Sequence, residues 1–137
     1  MPNVSRLIPP TLAGAAYAVA GVATADLAKG ATSIQSRNGW RLAAWVLSAL
    51  VFMSHVAYER LRARETVPRT ARHAAGAVAL GAFLLAAAGP VRAHWADEHF
   101  WRVTALSLVL WPVLTGIPAF LAALFLASVL GRIVARE

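Results

Sequence analysis

The sequence contains no cysteine. Disulfides, thiolate catalysis and cysteine-ligated metal sites are therefore excluded. Charge is scarce as well. Charged residues make up 14% of the 137 residues and hydrophobic ones 59%, against about 25% and roughly 45–50% in ordinary soluble domains. The charges are too few and too clustered to wet the surface of a soluble protein this size. Lys29 is the single lysine, so the net charge of +7 is carried almost wholly by arginine. These arginines flank apolar runs, so anionic lipid headgroups are the expected partner rather than nucleic acid. Three catalytic or cofactor signatures are missing too: a nucleophile–histidine–acid set, a glycine-rich phosphate loop and a heme-ligand spacing. Ser54 and His55 are adjacent in sequence and would point in different directions on a helix. The chain reads as non-enzymatic and without cofactor.

What is present is alanine, leucine and length. Four uncharged runs stand out: Leu7 to Ala25 (19 residues), Leu42 to Tyr58 (17), Ala74 to Val91 (18) and Val103 to Gly131 (29). A bilayer core of about 30 Å needs roughly 20 helical residues. The first three runs fit; the fourth is over-long and must tilt, kink or project. The predicted fold is all-α: one domain over residues 1–137, a polytopic membrane protein with a bundle of four transmembrane helices. The spans are placed at about 9–28, 40–59, 72–91 and 101–130. Run one also has features of a signal peptide, with Arg6 before it and "ATA" at Ala23 to Ala25. A retained helix starting near Pro10 is preferred, because proline is tolerated in a first helical turn.

With four spans, the N-terminus, the second loop and the C-terminus share a side. That side carries eight arginines: Arg6, Arg60, Arg62, Arg64, Arg69, Arg72, Arg132 and Arg136. The other carries Lys29, Arg37, Arg41, Arg92 and Arg102. The positive-inside rule then puts both termini in the cytoplasm. Trp40, Trp45, Trp95 and Trp101 fall on the opposite side, where an aromatic belt would lie; Trp111 lies deeper and is expected to pack into the bundle.

Four motifs follow from helical spacing. Ser48, Phe52, His55 and Glu59 fall within about 60° of arc on one helix, and His55 and Glu59, four apart, can touch. Arg69, Arg72 and His73 open the next run across a short loop in which Pro68 reads as a stop. His55, Glu59 and His73 are expected to face each other at a membrane surface, and a Glu59 carboxylate between His55 and an arginine would satisfy the cluster. It reads either as a polar clamp or as a site that handles protons or cations. Small residues at Gly14, Ala18, Gly21 and Ala25, and at Ala77 and Gly81, form faces suited to close helix packing, within the chain or with another. In the fourth run Pro112, Gly116 and Pro118 predict a break or kink, with Thr115 placed to re-satisfy a freed carbonyl. In the third loop His94, Asp97, Glu98 and His99 are four potential ligands. Their spacing departs from the H-x-x-E-H zinc pattern, because the second histidine comes one residue late. A wet loop is expected there rather than a metal.

The stretches "SHVAYERLR" (54–62) and "PRTARHAAGAVALGAF" (68–83) resemble a family of small bacterial four-helix membrane proteins with no assigned activity. The resemblance implies a bacterial inner membrane and assigns no residue a role. The expected function is a small accessory or scaffolding subunit whose partners are copies of itself or a larger membrane complex. Arg60, Arg62 and Arg64 would meet anionic headgroups. The alternative is an oligomeric channel or a proton- or cation-linked transporter built on His55, Glu59 and His73.

Overall fold

A computed structural model describes residues 8–92 and 98–134. Of these residues 94% are helical, so the fold is all-α. Helix α1 spans Ile8–Gly30, α2 spans Ile34–Ala57, α3 spans Val67–Arg92 and α4 spans Glu98–Val134. A π-helical turn, Tyr58–Arg62, extends α2. All four helices are long and apolar enough to cross a membrane.

The connections are tighter than the sequence reading made them. Only residues 31–33 separate α1 from α2. The Ser33 side chain accepts a 3.0 Å hydrogen bond from the Ser36 amide and caps α2, as serine does where the first amides lack carbonyls. The polar stretch after it is helix, not loop. Pro68 is not a stop: it sits in the first turn of α3, where a missing N–H leaves no carbonyl wanting.

Helix α3 lies at the centre, with α1 on one flank and α4 on the other; α1 and α4 do not touch among the described residues. Helices α1 and α3 run parallel. Gly14 lies against Ala77 and Leu80, Gly81 against Tyr17, and Gly21 against Leu85. Helices α3 and α4 run antiparallel, with Ala71 and Ala74 meeting Ala123 and Ala127. Helix α2 packs along α1, and its C-terminal end reaches α3 and α4. There Val56 is fully buried among those four alanines, and Phe52 joins this cluster to a second one of Ala13, Tyr17 and Ala77. Towards its N-terminus α2 stands off α3 and α4. The result is a splayed bundle, closed at the end carrying the α2–α3 connection and open at the other.

Its interior is made of small residues and its exterior of large apolar ones. The fully covered side chains are mostly alanine, while Trp45 is 77% and Phe125 73% exposed. Water would penalise this distribution over so many residues. A hydrocarbon solvent does not, and helices in it associate by close approach of small side chains. Trp111, expected inside, is 55% exposed and points outward from α4.

Helix α4 is continuous through Pro112 and Pro118, so the predicted break is not observed. The prolines free the carbonyls of Leu108 and Leu114, four residues before each. Thr115 serves neither: its Oγ1 donates to the Trp111 carbonyl at 2.8 Å. Gly116 faces α3, where a methyl group would meet the Ala79 Cβ at 3.4 Å.

Candidate functional site

The closed end of the bundle holds the buried polar cluster. Glu59 lies in the π turn, 3% exposed, and His55 lies one turn earlier, 8% exposed. His73 comes from the second turn of α3. Its Nδ1 is 2.8 Å from Glu59 Oε1, while His55 Nε2 is 3.7 Å from the same oxygen. The first distance is a hydrogen bond and the second is too long for one. Glu59 Oε2, His55 Nε2 and Thr70 Oγ1 are buried without a hydrogen-bond partner among the described residues.

His73 meets Glu59, as its place in the expected cluster required, but the arginine also expected there does not. Arg69 pairs instead with Glu65, 3.3 Å away and four residues earlier, a local geometry that side chains on one short stretch reach easily. Arg72 is exposed. Arg60 departs from its expected place at the headgroups. Its Nε donates to the Ala127 carbonyl of α4 at 3.1 Å, and its Nη1 donates to the Glu65 carbonyl. The guanidinium lies against Gly131, where a methyl group would come within 2.5 Å of Nη2. Arg60 thus ties the π turn, the α2–α3 connection and α4 together. Arg62 and Arg64 are exposed.

Local backbone geometry sets these directions. The Ala63 amide reaches the Tyr58 carbonyl at 3.1 Å and the Glu65 amide reaches the Glu59 carbonyl at 3.0 Å. The turn is wider than an α-helix by one residue, and such insertions re-aim the side chains around them. Arg64 closes it in the left-handed region with φ of 50°, where glycine is usual.

The small-residue faces lie between α1 and α3. Gly14, Ala77 and Gly81 are buried in that contact, Gly21 and Ala18 are half-buried, and Ala25 is exposed. A methyl group on Gly81 would stand 2.6 Å from Tyr17 Cβ and 3.2 Å from the Gly14 carbonyl. Tyr17 belongs to the same face as Gly14 and Gly21 by helical spacing, a placement the sequence reading did not use. Its hydroxyl is buried without a hydrogen-bond partner among the described residues. Arg60's inward turn had no sequence signal, because it depends on the π insertion. Of the loop ligands, His94 and Asp97 lie outside the described residues, as do the side chains of Glu98 and His99. No group of three metal-binding side chains occurs among the described residues.

Above Phe52 the splay of α2 opens a cleft of about 590 Å³ bounded by all four helices, with Tyr17, Ser48, Leu85, Leu114 and Pro118 on its walls. A second cleft of about 630 Å³ between α1 and α2 carries Lys29, Arg37, Arg41 and Trp40. The two adjoin along a shared wall of Gly21, Ala44 and Trp45, so that a basic cleft sits next to an apolar one where α2 splays away. Comparisons with known proteins give no relative to set beside this geometry: no family model, no curated protein and no solved structure matches the chain.

Proposed function

We propose that the chain is a multi-pass protein of a bacterial cytoplasmic membrane, with both termini cytoplasmic, and that it serves without enzymatic chemistry as an accessory or scaffolding subunit. One observation carries the reading. The small-residue faces are consumed between α1 and α3, which leaves a partner the exposed flanks of large apolar residues, and the longest helix to offer one is α4. This flank exposes Ile117, Leu121 and Phe125 and belongs to a helix that α1 leaves uncovered. The partner is a copy of the chain or another membrane helix packed on that flank. Extraction of native membranes in mild detergent, followed by sizing and identification of what copurifies, tests it. A stoichiometric assembly that is lost in the Leu121→Ala/Phe125→Ala variant is expected. A monomer alone, unchanged by the substitutions, contradicts the proposal.

A second reading draws on the unpartnered atoms of Glu59 and His55. A buried carboxylate flanked by two histidines, about two turns beneath the Phe52 floor of the cleft, suits a proton-linked channel or transporter. Reconstituted in liposomes, such a protein would show a pH-driven flux that Glu59→Gln abolishes. A scaffold shows no such flux in either form.

A further inference from the structure

The groove left by the splayed α2 matches an amphipathic ligand in shape and in charge. At its mouth Lys29, Arg37 and Arg41 come from two helices and converge with Trp40 and Trp45 on one opening. From the shared wall of Gly21, Ala44 and Trp45 the groove runs on over Leu85, Leu114 and Pro118 to Phe52. This second part is almost wholly apolar. Its polar side chains are Tyr17, Ser48 and Thr115, and the Tyr17 hydroxyl is buried.

We propose that this groove binds one anionic phospholipid, with its phosphate at Lys29, Arg37 and Arg41 and one acyl chain laid along the cleft towards Phe52. Three cations at a membrane surface select an anionic headgroup over a zwitterionic one. The two tryptophans sit where amphipathic rings favour the headgroup boundary. The apolar wall takes a hydrocarbon chain. The volumes of about 590 and 630 Å³ fall in the range of small-molecule sites, about 300–1,000 Å³. A helix from a second copy, about 10–12 Å across, overfills such a groove. It would also bring a chain of net charge +7 to a mouth that is already positive. The lipid site stands whether or not α4 meets a protein partner.

Native mass spectrometry of the full chain in a nonionic detergent tests the assignment, with phosphatidylglycerol and phosphatidylcholine of identical acyl chains offered in equal amounts. The expected result is one phosphatidylglycerol retained per chain, in preference to phosphatidylcholine by on the order of a hundred-fold. The Lys29→Gln/Arg37→Gln/Arg41→Gln variant, with an unchanged melting temperature, should retain the two lipids equally. The Arg37→Lys/Arg41→Lys variant keeps the charges and should keep the preference. Ser48→Phe fills the apolar part, leaves the cations in place and should lower retention of both lipids. Equal retention by the wild type overturns the proposal, since it marks an annular lipid only. So does displacement of the lipid by soluble glycerol phosphate, which would mean an anion site without a chain site. A homodimer whose formation excludes phosphatidylglycerol also overturns it, by giving the groove to a second copy.

Discussion

Glu59 places a carboxylate among apolar helices, and the burden of satisfying it falls on His73. Removing one partner of a buried pair strands the other, at a cost of about 3–5 kcal/mol. His73→Ala is therefore expected to lower stability by about 3 kcal/mol, whereas Arg72→Ala, on the exposed side of the same helix, stays within about 0.5 kcal/mol. Unfolding in detergent micelles, followed by circular dichroism, measures both. Equal effects would mean that the His73–Glu59 contact is not formed. Glycines give a second contrast of this kind. Gly81→Ala drives a methyl group into Tyr17 and the Gly14 backbone and is expected to destabilise by about 1–3 kcal/mol. Gly76→Ala meets nothing within 4 Å and should be neutral or stabilising, by up to about 1 kcal/mol. The same melts report the pair, and a destabilising Gly76→Ala would contradict the packing. At this scale the sequence was informative where helical period alone decides. His55 and Glu59 share a face, and so do Gly14 and Gly21. Across helices it was informative in part: His73 was expected to face His55 and Glu59 and does, whereas the arginine also expected beside Glu59 pairs with Glu65.

Elements depart from expectation where backbone geometry, rather than side-chain pattern, governs. Nothing in "YERLR" announces a π turn, yet that one inserted residue turns Arg60 towards the Ala127 carbonyl and leaves Arg64 with a positive φ. A left-handed residue with a side chain is strained by roughly 1–2 kcal/mol. Arg64→Gly is therefore expected to stabilise the protein by about 0.5–1 kcal/mol, read as a higher midpoint in thermal unfolding. A lower midpoint would count against the turn. Arg60→Ala should destabilise by about 1.5–3 kcal/mol, the range for hydrogen bonds from a charged donor, and should loosen α4 near Ala127 in hydrogen exchange. Unchanged exchange there would show that Arg60 faces the headgroups after all. Helix α4 shows the reverse case. Two prolines and a glycine allow a break or a kink, and the continuous helix excludes the break, since proline in a long apolar helix costs only local bonds when its neighbours hold the rest in place. Helix ends were misjudged for a simpler reason. Apolar runs mark where hydrocarbon would be, not where hydrogen bonding stops, so α2 begins at Ile34, well before the run it contains.

For the whole molecule, composition carried the class. A chain with this little charge and this much alanine and leucine has few folds open to it, and four helices with small residues inside and large ones outside follow from that. The splay of α2 was not legible, because it depends on which faces of α1 and α3 pack together. Gly14 and Gly81 bring those two helices close, and α2 meets α3 and α4 near its C-terminal end. Absence of cysteine makes the topology directly measurable. Thr32 and Ala63 lie in or beside the two described connections, at opposite ends of α2, and a single cysteine at either is the sole thiol in the protein. Labelling with a membrane-impermeant maleimide in intact and in permeabilised cells then reads the side of each. The account predicts that Thr32→Cys is modified in intact cells and Ala63→Cys only after permeabilisation. Modification of both in intact cells, or of neither, would contradict a membrane-spanning α2 and with it the four-helix transmembrane arrangement.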